Sequence, residues 1–128
     1  MVDLFLVPEI AIDADGESAP VDLGENAGKS FLVTLAITKI AEQQSIDVSI
    51  WGSEDGTEWG AKPLLAIPQK FYYGVYQLLM DLGGHPGVRF LKTKWHVNRW
   101  GVGDTKPHFT FLVKIQEQSA AVGTAATR

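Results

Sequence analysis

Hydrophobic residues recur at every second position over four stretches of this chain. In 31–37 and 109–115 the alternating series consists of Phe, Val, Leu and Ile, and in 46–50 and 91–97 the intervening positions are mainly polar or charged. Alternation with a period of two places successive side chains on opposite faces of a β-strand. The sequence therefore predicts four strands, each with one face directed toward a core.

The segment 71–82 fits two patterns. A helical spacing is shared by Phe71, Val75, Leu78, Leu79 and Leu82. Gly74 weakens a helix at this point, so we favour a strand and keep a helix as the alternative. The predicted inward residues are Tyr76, Leu78, Met80 and Leu82, and the predicted outward residues are Gln77 and Asp81.

Turn-forming residues separate the alternating stretches. They occur at Asp15-Gly16, 24–28, Asp55-Gly56, 83–87 and 101–107. About seven or eight short strands without helical crossover segments are typical of an all-β fold, an antiparallel β-sandwich, and a jelly roll is the expected way to close it. We expect a single domain over 1–117, with an amino-terminal strand and arm over 1–29, and a flexible tail over 118–128.

Composition narrows the class of protein. The chain has 128 residues, 45% of them hydrophobic, which is enough for one buried core. Its net charge of −4 does not favour binding to nucleic acid or to an anionic membrane, and its lack of cysteine excludes disulfides and thiolate chemistry. Asp3 stands where a secretory signal carries Lys or Arg, and no apolar run approaches the roughly 18 residues of a membrane span. We expect cytoplasmic synthesis without a signal peptide.

The string from Ser53 to Trp59, Ser-Glu-Asp-Gly-Thr-Glu-Trp, predicts a hairpin. Asp55 can cap the turn, Gly56 can adopt a positive φ, and Trp59 is expected to begin the return strand. The string resembles the Ser-x-Asp-Gly-x-x-Trp turn of discoidin-like, galactose-binding-type jelly rolls and of small β-sandwich proteins of bacteriophages and prophages. The run 87–95 is similar to a later strand of those folds. The resemblance implies a module that binds carbohydrate or packs into an assembly such as a virion.

Other motifs give no support for catalysis or cofactor binding. Asp13 and Asp15 resemble the start of a calcium loop, but Gly24 occupies the place of its bidentate Glu, so an Asx turn is preferred. The histidines at 85, 96 and 108 lack the spacing of a metal site, and Gly28-Lys29-Ser30 precedes a strand where a P-loop requires a helix. We expect no enzyme activity, no metal and no cofactor.

The residues that suggest binding are aromatic or basic. Lys92, Lys94 and His96 share one predicted strand face, with Arg99 and Trp100 beyond it. This face could bind an acidic partner, a sugar stacked on Trp100, or single-stranded nucleic acid; the alternative is a solvated face whose lysines prevent aggregation. Trp51 lies on the polar side of its strand, where a large aromatic residue marks either a contact with another molecule or a second packed layer.

These patterns favour a non-enzymatic structural protein that forms homo-oligomers or decorates a larger, virion-like lattice. Strand 4–7 and the arm up to 29 could pair with a neighbouring subunit. The competing hypothesis is a carbohydrate-binding module whose stacking surface includes Tyr72, Tyr73, Trp51, Trp59 and Trp100. Nucleic-acid binding along 92–99 is a weaker third hypothesis, and we expect no membrane partner.

Overall fold

The structure is a computed structural model and describes residues 3–40, 44–70, 72–99 and 109–117. In these ranges the chain forms nine strands and two short 3-10 turns. The strands are β1 (Asp3–Ile12), β2 (Gly16–Glu17), β3 (Val21–Asp22), β4 (Ser30–Ile40), β5 (Gln44–Ser53), β6 (Leu65–Lys70), β7 (Gly74–Asp81), β8 (Phe90–Arg99) and β9 (Phe109–Glu117), and the 3-10 turns are Gly24–Asn26 and Leu82–Gly84.

The strands form two antiparallel sheets that pack face to face. One sheet has four strands in the order β1-β9-β4-β7, and the other has five, in the order β2-β8-β5-β6 with β3 also paired to β8. The pairs β1 with β9, β2 with β8, β4 with β7 and β5 with β6 are nested in the sequence. The successive antiparallel pairs thus alternate between the two sheets, as in a long double strand that is folded over on itself. The two facing sheets confirm the predicted all-β sandwich.

The core lies between the two sheets and is built by the alternation seen in the sequence. Each central strand presents alternate residues that are less than 10% exposed. These include Phe31, Val33 and Leu35 on β4, Ile46, Val48 and Ile50 on β5, Leu91, Thr93 and Trp95 on β8, and Phe109, Phe111, Val113 and Ile115 on β9. Burial of this apolar surface is the main stabilising contribution to such a fold.

The predicted strand over 71–82 is confirmed for the part described. β7 covers Gly74–Asp81, with Tyr76, Leu78 and Met80 turned inward and Gln77 and Asp81 exposed. Leu82 is fully buried, but it begins the 3-10 turn that follows. The helical alternative fails because eight consecutive residues of this segment pair with β4.

The predicted start of the return strand at Trp59 is wrong. Trp59 lies in the connection after β5, and the return strand, β6, begins at Leu65. Pro68 obscures this strand in the sequence because proline lacks the N–H that an interior strand needs. The strand tolerates Pro68 because β6 is the last strand of its sheet.

The amino-terminal segment belongs to the sandwich of its own chain. β1 pairs with β9, and two irregularities in its register allow the adjacent Leu6 and Val7 both to be buried. β2 and β3 pair with β8. These segments therefore satisfy their pairing within the chain, which argues against the exchange of strand 4–7 and its arm with a neighbour.

Candidate functional site

The outer surface of the five-stranded sheet brings together five of the residues singled out in the sequence. They are Trp51, Trp59, Lys92, Lys94 and His96, and we call this surface the tryptophan–lysine face. Trp51 is paired with Lys92, and Ser49 with Lys94, across neighbouring strands. Paired residues of neighbouring strands project from the same side of a sheet, so residues from β5, β8 and the loop after β5 meet here.

Lys92 is held between a ring and a carboxylate. Its Nζ lies 4.5 Å from the centroid of the Trp59 ring and 3.1 Å from Oε2 of Glu17. The side chain of Lys92 is only 12% exposed. The positive charge of Lys92 is balanced by the Glu17 carboxylate and by the electron-rich face of the Trp59 ring. Lys92 therefore fixes the loop that carries Trp59 against β8.

Lys94 makes the neighbouring contact. Its Nζ lies 4.1 Å from the centroid of the Trp51 ring, and the indole Nε1 of Trp51 donates to Oγ of Ser49 at 2.9 Å. Trp51 is half-buried by these contacts. Both indole rings of the face therefore have one side occupied by a lysine ammonium, and a ligand that stacked on that side would have to displace it.

His96 and Asp15 join the turn before β2 to strand β8. His96 Nδ1 lies 2.8 Å from Oδ2 of Asp15, whose Oδ1 accepts the Val97 N–H at 2.8 Å. The indole of Trp95 donates to the carbonyl of Ala14 in the same turn. The sequence predicted an Asx turn at Asp13 and Asp15. In the structure both carboxylate oxygens of Asp15 instead bond to residues of β8. The Val97 amide and His96 lower the pKa of Asp15, and hydrogen bonding to Asp15 raises the pKa of His96.

A cleft of about 370 Å³ borders this face. Its polar side chains come from Asp15, Asp47, Ser49, Lys94 and His96. The cleft thus contains carboxylates, a lysine ammonium and a hydroxyl. This mixture suits hydrogen bonds to a neutral polar ligand better than the binding of a polyanion.

The outer surface of the four-stranded sheet has a different character, and we call it the apolar face. Along its rows Leu79 pairs with Leu32, Val75 pairs with Ala36, and Ala36 pairs in turn with Leu112. Phe5 lies in the row of Lys114, Thr34 and Gln77. Val75 is 67% exposed, Leu79 59% and Phe5 55%. Val75 and Leu79 lie on the edge strand β7, and Phe5 lies on the opposite edge strand, β1. Large exposed apolar side chains on one surface are typical of a site of contact with another molecule.

The apolar face was not predicted as a site, although its signal is present in the sequence. Val75 and Leu79 occupy the outward positions of the alternation that identified β7. The sequence alone does not show that β7 is an edge strand. That position depends on how strands far apart in the chain pair with one another.

Other predicted binding residues are dispersed. Tyr72 and Tyr73 lie in the connection that leads from β6 to β7 of the four-stranded sheet, and are 74% and 73% exposed. Arg99 ends β8, but its side chain and the whole of Trp100 lie outside the described residues. The predicted stacking surface is therefore divided between at least two parts of the molecule.

The turn after β5 is a capped loop, as predicted from its Asp-Gly pair. Oδ1 of Asp55 accepts the N–H groups of Thr57 and Glu58 at 2.8 and 2.9 Å, and Gly56 has a φ of 84°. These amide bonds hold the pKa of Asp55 well below its usual range. In the ranges that the structure describes, no group of three His, Asp or Glu side chains is arranged to hold a metal ion. The carboxylate of Asp55 serves the turn.

Comparison with known proteins identifies the fold alone. No protein-family model and no curated protein sequence matches the chain. Among solved structures it is similar to the VP2 subviral particle of infectious bursal disease virus, with 9% identity and a TM-score of 0.50, covering 89% of this chain and 31% of that one. A cleaved adhesin domain of Lys-gingipain from Porphyromonas gingivalis has 15% identity and a TM-score of 0.48, with 78% and 62% covered. An acetyl xylan esterase from Butyrivibrio proteoclasticus has 11% identity and a TM-score of 0.38, with 90% and 28% covered.

The chain spans less than two thirds of each of these three structures. At such identities the similarity to VP2 supports a β-rich domain and carries no ligand or activity with it. Within the part of the chain that the structure describes, no helix has the length and apolar character needed to cross a membrane.

Proposed function

We propose that this chain is a non-enzymatic structural subunit that associates with copies of itself or joins a larger protein assembly, such as a virion-like particle. The observation that carries the proposal is the apolar face, where Phe5, Val75 and Leu79 each leave more than half of their surface exposed. Exposed apolar side chains on one side of a sheet lower the free energy of the system when another protein covers them.

The chemistry at the border of the apolar face supports a protein partner. Tyr72 and Tyr73 lie directly before β7 and are highly exposed. Tyrosine is enriched at protein interfaces because its ring buries a large area while its hydroxyl retains a hydrogen bond. Lys114 is the charged side chain in the row that joins Phe5 to Gln77, and Glu9 accepts a hydrogen bond from Thr38 on the same side of the sheet. Such a mixture of apolar, polar and few charged groups suits a protein better than a polyanion.

The nested strand order supports the expected jelly roll. In that arrangement a long antiparallel double strand wraps into two facing sheets, as the order β1-β9-β4-β7 opposite β2-β8-β5-β6 does. The turn at Ser53, Asp55 and Gly56 also fits the resemblance to galactose-binding-type and phage β-sandwich proteins. We propose that 1–117 is the folded unit and 118–128 a tail.

The mass of the intact chain in solution tests the assembly proposal. Light scattering over a concentration series should show a discrete species larger than the 14.0 kDa monomer. The intact chain is required because removal of the first 28 residues would also remove β1, β2 and β3 from the sandwich. A monomer at every concentration would overturn the proposal.

Saccharide binding at the tryptophan–lysine face is a second candidate. It is favoured by two indole rings on one face, Trp51 and Trp59. The cleft beside Lys94 and His96 adds side chains that can donate or accept hydrogen bonds. A change in tryptophan fluorescence on addition of a monosaccharide panel, lost in Trp51→Ala and kept in Tyr72→Ala, would support it. No change at millimolar sugar would contradict it.

Nucleic acid is a poor partner for this face. Glu17 neutralises Lys92, and Asp15 faces His96. Lys94 lies over the Trp51 ring. Binding to a single strand depends on cations free to replace counterions, and here they are already engaged.

A further inference from the structure

β7 is the one edge strand described here that lacks protection against pairing with another chain. Edge strands are usually guarded by proline, lysine, bulges or short length. β1 contains Pro8 and two register irregularities, β6 contains Pro68 and one, and β2 and β3 have two residues each. β7 has eight residues in unbroken register with β4 and contains no proline, lysine or arginine.

The backbone of β7 presents hydrogen-bonding groups to that edge. The Leu82 N–H donates to the carbonyl of Lys29 at 3.0 Å, and these two residues continue the register of β7 with β4. In an antiparallel ladder the groups of alternate residues point toward the same neighbour. The even-numbered residues of β7 therefore bond to β4, and the N–H and C=O groups of Val75, Gln77 and Leu79 point to the open edge.

We propose that β7 pairs antiparallel with β7 of a second copy, around a two-fold axis at Gln77. The four-stranded sheets of the two copies would then form one continuous eight-stranded sheet. Gln77 would face Gln77 of the second copy, and Val75 would face its Leu79, which gives about six backbone hydrogen bonds. This inference rests on the proposed assembly function and names its partner.

The side chains of β7 fit this pairing. Val75 and Leu79 are the exposed apolar residues of the strand, and the antiparallel register places each against the other, where their exposed surface is covered. Gln77 lies between them and can bond to its counterpart.

The charge of the strand favours the antiparallel direction. Asp81, at the end of β7, is its single charged residue. Antiparallel pairing keeps the two Asp81 carboxylates at opposite ends of the interface, whereas parallel pairing in register would set them side by side. An isologous contact of this kind closes on itself and gives a dimer.

Cysteine cross-linking tests the register directly, because the chain has no cysteine of its own. The Cα atoms of a directly opposed, hydrogen-bonded pair lie about 5.5 Å apart, within the range of a disulfide. Under mild oxidation Gln77→Cys should form a covalent dimer. Val75→Cys alone should not, because its counterpart would lie about 13 Å away along the strand. A mixture of Val75→Cys and Leu79→Cys chains should yield the mixed disulfide.

A charge introduced at the edge tests the energetics. Val75→Lys should reduce the mass seen by light scattering to that of the monomer, while Ala66→Lys on β6, the edge of the other sheet, should leave it unchanged. Circular dichroism verifies that both variants are folded. A dimer that persists in Val75→Lys, together with no cross-link through Gln77→Cys, would overturn this inference and leave the assembly function standing. A wild-type chain that is monomeric throughout would overturn both.

Discussion

Trp95 and Phe111 meet edge to face across the sandwich, with ring centroids 5.4 Å apart and ring planes inclined at 75°. Trp95 belongs to β8 of the five-stranded sheet, and Phe111 to β9 of the four-stranded sheet. The contact therefore joins an interior strand of one sheet to an interior strand of the other, and aromatic pairs in this geometry add stability beyond their buried area.

Truncation of Phe111 should strongly destabilise the domain. Its side chain is fully buried, so Phe111→Ala leaves a cavity between the sheets and should cost about 3–5 kcal/mol of unfolding free energy. Urea denaturation measures this loss. The matched control is the next residue, Leu112→Ala, whose partly exposed side chain lies on the apolar face and should cost clearly less. Equal losses for the two variants would contradict the assignment of inner and outer faces.

Gly52 should not accept a side chain. A Cβ atom at this position would lie 2.5 Å from Cδ1 of Leu64 and 2.8 Å from Cγ1 of Val88. Gly52→Ala should therefore lower the unfolding free energy by about 1–3 kcal/mol, the usual cost of overpacking. Gly84→Ala is the control, because a Cβ there meets no atom within 4 Å and the change should stay within about 0.5 kcal/mol. Thermal unfolding compares the two variants. A lower unfolding midpoint for Gly84→Ala than for Gly52→Ala would contradict this packing.

Protonation of His96 should depend on Asp15. Hydrogen bonding and charge from Asp15 raise the pKa of His96 above its ordinary value of 6.5. The stabilisation from this contact is complete below pH 6.5 and is lost as the pH rises through the raised folded-state value. In an NMR titration, Asp15→Asn should lower the midpoint of the His96 ring signals. Asp47→Asn should lower it less, because Asp47 contributes the smallest of the raising effects. An unchanged midpoint in Asp15→Asn would show that the contact is not formed in solution.

Local alternation was sufficient to predict most of the fold. Strands β4, β5, β8 and β9 and the inward face of β7 follow from apolar residues at every second position, since a strand directs alternate side chains to one side. The bounds of β6 could not be predicted because Pro68 interrupts its alternation. The return strand was expected to begin at Trp59, whereas it begins at Leu65. The positions of β2 and β3 beside β8 depend on contacts across more than 60 residues, and no local pattern encodes them.

The candidate sites were predictable only in part. Lys92, Lys94 and His96 do share a strand face, but the groups that neutralise or cover them, Glu17 and Trp59 among them, come from remote segments. The outward positions of Val75 and Leu79 are visible in the sequence, yet their importance depends on β7 being an edge, which the nested pairing of the whole chain determines.

The decisive measurement for self-association is the mass of the intact wild-type chain in solution, determined by light scattering over a concentration series. We expect a discrete species of at least twice the 14.0 kDa monomer mass that dissociates on dilution. A single species at the monomer mass across the whole series would contradict it.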